Sequence, residues 1–266
     1  MDLSRLMVMG ILNVTPDSFS DGGLYNSPGE AIKHAAAMTE AGTDIIDIGG
    51  LSTRPDSAEI PVDDEIARVI PVIRHIREFN KNVLISADTY RSEVAAAAME
   101  AGADIINDIS GGAFDPAIRE VAAHYDAPYI IMHTPGKPSE MQKMTDYDEL
   151  MSTIYHYLSE KGKEAEAKGV KRIIADPGIG FGKTIDQNFE ILSRMEELLY
   201  LGYPLLIGLS RKSFIGKTLD LDTGQRDIPT SILEGFSVSS GARIIRTHNI
   251  LHASYLKQLI NRILQY

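Results

Sequence analysis

Ala41-Gly42-Thr43-Asp44-Ile45-Ile46 returns as Ala101-Gly102-Ala103-Asp104-Ile105-Ile106, and Ser240-Gly241-Ala242-Arg243-Ile244-Ile245 echoes both. Each copy closes a helical period on a glycine and passes at once into a β-branched run. A glycine just past a helix takes the left-handed turn that stops it, and the isoleucines that follow favour extended chain. The phrase is a helix stop followed by a buried strand. Working outward from it, the same kind of short, nearly continuous apolar run occurs at Leu6–Leu12, Asp44–Ile48, Val83–Ala87, Asp104–Ile109, Pro128–Met132, Lys171–Ala175, Pro204–Leu209 and Ala242–Ile245. Runs without polar alternation suit strands buried on both faces, as in a parallel sheet.

Amphipathic stretches fill the gaps. Ser27-Pro28-Gly29-Glu30 reads as an N-cap, a proline in the first turn and a capping-box glutamate, and the helix runs to about Ala41. Residues 63–79 place Ile66, Val69, Ile70, Ile73, Ile76 and Phe79 on one face, with a kink expected at Pro71. Residues 91–101 stop at Gly102, and a long helix over 146–168 stops at Gly169. A C-terminal helix carries Leu256, Leu259, Ile260 and Ile263. Eight strands, each followed by a helical segment, predict a single (β/α)8 barrel over residues 1–266; an open doubly wound sheet is the rival arrangement.

The residues that close the strands are Asn13, Asp47, Asp88, Asn107-Asp108, His133, Asp176, Ser210-Arg211-Lys212 and Arg246-Thr247-His248. Any one of them alone reads as a loop cap or a satisfied core group. All lie at C-terminal strand ends, which in a barrel converge on the mouth where active sites of this fold lie. Loops after strands 7 and 8 often bind phosphate there, so Arg211, Lys212, Arg246 and His248 point to an anionic ligand; surface ion pairing is the plainer alternative. The segments 13–27 and 49–61, rich in Gly, Pro, Ser, Thr and Asp, read as ordinary loops or as lids.

Composition narrows the classes further. The chain has 266 residues, 26 Lys plus Arg and 37 Asp plus Glu, for a formal charge of −11. That balance argues against general nucleic-acid binding. With no cysteine, disulfide scaffolds, thiolate zinc, iron–sulfur clusters and thiol nucleophiles are excluded, and a cytoplasmic location is the simplest expectation. Leu6–Leu12 is far shorter than the ~20 residues of a spanning helix, and no export signal is recognised; no membrane association is expected. Gly178-Ile179-Gly180-Phe181-Gly182-Lys183-Thr184 ends like a phosphate-binding loop. Pro177 stands where its first glycine belongs, so neither that motif nor the dinucleotide fingerprint is met. The seven histidines show no metal-binding spacing.

The segment Gly10–Gly23, reading GILNVTPDSFSDGG, resembles the signature of the dihydropteroate synthase family. So do Asp47–Pro55 (DIGGLSTRP), Ser86–Arg91 (SADTYR), Asn107–Ile109, Met132-His133, Asp176–Gly182 (DPGIGFG), Ser210–Ser213 (SRKS) and Arg246–His248. They occur in family order and cover almost the whole chain. The resemblance implies a pterin-binding (β/α)8 barrel that joins 6-hydroxymethyl-7,8-dihydropterin diphosphate to 4-aminobenzoate, magnesium as the metal, and a homodimer. It implies pterin contacts from Asp88, Asn107, Asp176 and Lys212, a diphosphate clamp from Arg246 and His248, and Asn13 on magnesium and diphosphate. Phe19, Thr53, Arg54, Pro55, Phe181 and Ser213 would form the aminobenzoate pocket. Leu51, Ala87 and Asn249 depart from common family choices (Glu at the first, Val or Ile at the second, Asp at the third). A corrinoid-linked methyltransferase domain and a pterin-binding protein without turnover are the alternatives; the first gives no reason for Ser-Thr-Arg-Pro and Ser-Arg-Lys-Ser together.

Overall fold

The structure is a computed structural model and describes residues 1–15, 28–52 and 59–263. Phe19, Thr53, Arg54, Pro55 and the expected cap Ser27 lie outside the described residues. Eight parallel strands close into a barrel in chain order, and β1 (Met7–Asn13) pairs with β8 (Ala242–Thr247). Between them run β2 (Ile45–Gly49), β3 (Leu84–Asp88), β4 (Ile105–Asp108), β5 (Tyr129–Met132), β6 (Ile173–Asp176) and β7 (Leu205–Gly208). The expected strands are all present, with ends displaced by one or two residues. The described helices are α1 (Pro28–Glu40), α2 (Val62–Phe79), α3 (Ser92–Ala101), α4 (Ile118–His124), α5 (Leu150–Ala167), α6 (Ile185–Ser193), α7 (Ser213–Leu219), α8 (Asp227–Ser239) and α9 (Ile250–Ile263). No described helix is long and apolar enough to cross a membrane.

Strand periodicity splits the core. Met7, Met9, Ile45, Ile105, Ile130, Ile174, Leu206 and Ile244 form one buried cluster drawn from seven strands, which plugs the barrel interior. Their neighbours Val8, Ile46, Ile48 and Ile85 belong to a separate cluster under α1 and α2. Burying each such side chain contributes roughly 1.5–3 kcal/mol. Because side chains alternate, the residue two positions beyond each plug residue shares its face. That step leads from Ile45 to Asp47, Ile105 to Asn107, Ile174 to Asp176 and Ile244 to Arg246. The polar set is therefore the next layer up, at the mouth.

Gly42, Gly102 and Gly241 have φ of 95°, 112° and 104°, the left-handed stops that the recurring phrase predicts. α2 runs unbroken through Pro71 and buries Val69, Ile70, Val72, Ile73 and Ile76. Phe79 does not join that face; at the end of the helix it is 46% exposed. The long fifth helix starts at Leu150 rather than 146, capped by Glu149, whose side chain accepts from Ser152 N. On α9, Leu256 and Ile260 pack against Leu6, Val238 and Ile245, whereas Leu259 and Ile263 face outward. A four-residue spacing defines two such faces on one helix, and only one of them meets the barrel.

Candidate active site

At the mouth, β8 supplies the central cation. Arg246 Nε donates to Asp47 Oδ2 at 2.6 Å, and its Nη2 donates to Asp88 Oδ2 at 2.6 Å. Asn107 Nδ2 donates to the same Asp47 Oδ2 at 3.1 Å. Three expected site residues, Asp88, Asn107 and Arg246, are thus gathered by a fourth, Asp47. Strand order explains the grouping. Gly49 pairs with Asp88, and Asp88 with Asn107, across adjacent strands. A Cβ on Gly49 would lie 3.3 Å from Asp88 Oδ2, and one on Gly50 would lie 2.7 Å from Val69 Cγ2. The double glycine after β2 lets the chain pass between the carboxylate and α2. Burial first, then the like charge of Asp47, push the Asp88 carboxyl up to about 7 against the pull of Arg246.

The loop after β6 forms the opposite wall. Asp176 Oδ1 accepts from Gly178 N at 2.7 Å. Burial raises its carboxyl, while the charges of Lys212 and Arg246 oppose that rise. Lys212, the residue before α7, donates to Ile179 O and lies 4.7 Å from the centre of the Phe181 ring. Burial lowers its ammonium to about 8, with Asp176 opposing. Gly178 has φ of 70°, and a Cβ there would fall 2.0 Å from His133 O; no other residue fits that turn. The buried Lys183 laces the loop together. Its Nζ lies 2.8 Å from Gly178 O, 2.9 Å from Phe181 O and 3.0 Å from His133 Nδ1. Lys183 Nζ and His133 Nδ1 share one hydrogen bond whose direction follows the tautomer of the imidazole, which burial keeps neutral. His133 is a support of this loop rather than a group aimed at a ligand.

His248 is held twice by Ser210. Its backbone N donates to Ser210 Oγ at 3.0 Å, and its Nδ1 lies 2.9 Å from the same oxygen. Arg211 is not part of the cation set at the mouth: it forms a two-pronged ion pair with Asp227 of α8 at 2.7 and 3.1 Å. Asn249 also donates to Asp227, at 2.8 Å. Ser213 opens α7 as expected and is exposed. Leu51, Phe114 and Phe181 all pack against one buried cluster of Tyr90, Ile109 and Met132. Arg68 Nη1 also reaches Gly50 O at 3.1 Å, and the fully buried Glu65 pairs with Arg91 at 3.0 Å.

Asn13 ends β1 with an exposed side chain. Among the described residues no three His, Cys, Asp or Glu side chains gather as a metal cage. A magnesium ion that keeps its waters and takes phosphate oxygens needs no cage, so one amide oxygen at the rim fits it. Asp47, Glu65, Arg91, Lys183 and Ser210 are the additions to the sequence-predicted set. Asp47 and Ser210 carried a signal as polar strand ends, Arg91 and Lys183 lay in quoted stretches that gave them no role, and Glu65 carried none.

Comparison with known proteins agrees with this geometry. Residues 9–248 match the family model described as pterin binding enzyme. The chain is 48% identical to a dihydropteroate synthase of Synechocystis over 249 residues, 92% of this chain and 86% of that protein. It superposes on a Yersinia pestis dihydropteroate synthase in a sulfonamide drug complex with a TM-score of 0.95 and 38% identity, covering 100% of this chain and 97% of that one. A Xanthomonas albilineans dihydropteroate synthase with 4-aminobenzoic acid gives a TM-score of 0.92 at 35% identity, covering 100% and 96%.

Proposed function

The chain belongs to the pterin-binding enzyme family, among its dihydropteroate synthases, and from that premise we propose that it is a transferase joining 6-hydroxymethyl-7,8-dihydropterin diphosphate to 4-aminobenzoate by a path in which diphosphate leaves first. The observation that carries this reading is the hydrogen-bonded set of Asp88, Asn107 and Arg246 at the ends of β3, β4 and β8, with Asp176 and Lys212 following β6 and β7 at the same end of the closed barrel. A dihydropterin edge offers an amide-like N–H and an amino group. Asp88 and Asp176 are acceptors for such donors, and Lys212 is a donor for the acceptor side. Unlike Asp47, Asp88 keeps 12% of its side chain exposed and can meet a guest.

In the reaction the C–O bond between the methylene carbon and diphosphate breaks, and both electrons leave with the oxygen. Arg246 and His248 are placed to meet the charge that builds on the departing group. The electron-rich ring spreads the cation left on the methylene carbon, and the two nearby carboxylates favour it. The aromatic amine then forms the C–N bond and loses its proton late, so no strong base is required. Phe181, Ser213 and, by resemblance, Phe19, Thr53, Arg54 and Pro55 hold the aminobenzoate. Magnesium, held at Asn13, would neutralise diphosphate charge when bound. Water would trap the cation, so it has to be kept from the mouth while the methylene carbon carries its charge.

We also propose a homodimer. Ile228, Ile232 and Phe236 form a four-residue stripe on α8, each at least 49% exposed. Leu251, Tyr255, Leu259 and Ile263 form a second on α9, each at least 52% exposed. The two helices pack together, and paired apolar stripes suit a self-complementary contact with a second copy. The catalytic reading is tested by diphosphate release with 4-aminobenzoate, measured with and without magnesium. Sustained release, matched by formation of 7,8-dihydropteroate, is expected only when both substrates are present, and faster with the metal. Methyl transfer from methyltetrahydrofolate without diphosphate release would indicate the corrinoid-linked alternative. Binding of the pterin without either turnover would indicate a binding protein.

A further inference from the structure

Asp47 is an unusual group to find beneath a reaction site. Its side chain has no exposure, so it cannot touch a guest. One oxygen, Oδ2, takes both Arg246 Nε and Asn107 Nδ2. The other, Oδ1, is buried with no hydrogen-bond partner among the described residues. A half-satisfied buried carboxylate is a poor device for stability alone. Each of its two partners stands beside Asp88: Arg246 through Nη2, and Asn107 as its neighbour across the β3–β4 ladder.

We propose that Asp47 is a positioning residue for pterin recognition, fixing the Arg246 guanidinium and the Asn107 amide as one unit against Asp88. The proposal rests on the reading of Asp88 and Asn107 as pterin contacts. Two consequences follow from the same geometry. The Asp47 anchor sets the angle at which the second branch of the arginine fork meets Asp88. The Asp47 charge also acts on Asp88 directly. The charged groups acting on Asp88 are Asp47 from β2, Arg246 from β8, Glu65 from α2 and Asp108 from β4. Glu65 is paired with Arg91, and Asp108 accepts from Tyr129 Oη, Ser110 and Gly112 N. That leaves Asp47 and Arg246 as the two adjustable neighbours, of opposite sign.

The test is calorimetric binding of 6-hydroxymethyl-7,8-dihydropterin, which lacks the diphosphate, across pH 5 to 9 for the full chain. A carboxylate accepts two N–H groups and its protonated form does not, so binding of the wild type should weaken on the acid side. In Asp47→Asn that acid limb should move to lower pH by about one unit, the scale of a nearby like charge. Affinity above the limb should fall about five-fold or more as the unit loosens. In Arg246→Gln the limb should move the opposite way, to higher pH, with the Asp47 charge unopposed. A residue that merely supports the fold would not send the limb in opposite directions. A limb that stays in place in Asp47→Asn, or moves there in the same direction as in Arg246→Gln, overturns the proposal, and Asp47→Ser, which also removes the charge, reads the same shift where Asp47→Asn does not fold. The assay needs no turnover. Pterin binding without diphosphate release would sink the synthase reading alone, and normal release with an unmoved limb would sink this one alone.

Discussion

Ser210 has one hydroxyl and spends it on His248, accepting from the backbone N–H and meeting Nδ1 on the same oxygen. The ring is thereby fixed at the end of β8 with Nδ1 engaged. Ser210→Ala should raise KM for the diphosphate substrate about five- to ten-fold, the worth of one lost hydrogen bond. Affinity for the diphosphate-free pterin should stay within about two-fold. Steady-state kinetics and calorimetry check the pair; an equal loss for both ligands would show that Ser210 supports the whole mouth instead. At this scale the sequence is informative about residue type and poor about partnership. Arg246 is recognisable as a cation at a strand end. Nothing in the spacing says that it bridges Asp47 and Asp88, because those partners are 199 and 158 residues away. Arg211 illustrates the converse: next to Lys212 in the chain, it turns away at φ 56° and pairs with Asp227.

Among the elements, α8 carries a buried acid. Glu234 is 1% exposed, hydrogen-bonded to Thr247, the residue between Arg246 and His248, and its Oε1 has no partner among the described residues. Burial pushes its carboxyl from 4.5 up to about 8. Between those values the folded chain keeps a proton that the unfolded chain has lost. Its contribution is therefore fully present below about 4.5 and is lost as pH rises through about 8. Glu234→Gln keeps the shape without the titration. Its Tm should approach the wild-type value near pH 5 and exceed it by about 3 °C or more at pH 9, read by thermal denaturation at both pH values. A difference independent of pH would contradict the buried proton. Elements were the most legible level. Strands announce themselves by uninterrupted Ile and Val, and their ends by a polar residue. The helices were legible in position and less so in orientation. Phe79 and Leu259 keep the helical period, yet their faces meet no barrel strand.

For the whole molecule, the stripes on α8 and α9 make oligomeric state the decisive measurement. Ile232→Lys combined with Leu259→Lys should convert a two-chain species into a single chain by light scattering, since a lysine on each stripe cannot be buried unpaired. A wild type with the mass of one chain would remove the homodimer proposal. Barrel closure was legible from eight repeats of strand and helix. Which charges it brings together was not, because closure is a property of the last strand meeting the first. That meeting sets an order of events during synthesis. Asp47 and Asp88 leave the ribosome long before Arg246 does, and at roughly 5–20 residues per second their counter-charge follows about 8–40 s later. Until then the nascent chain holds two acids destined for burial with no guanidinium to neutralise them. The mouth cannot assemble stepwise, and a ribosome stalled before β8 would display a protein unable to grip its heterocycle.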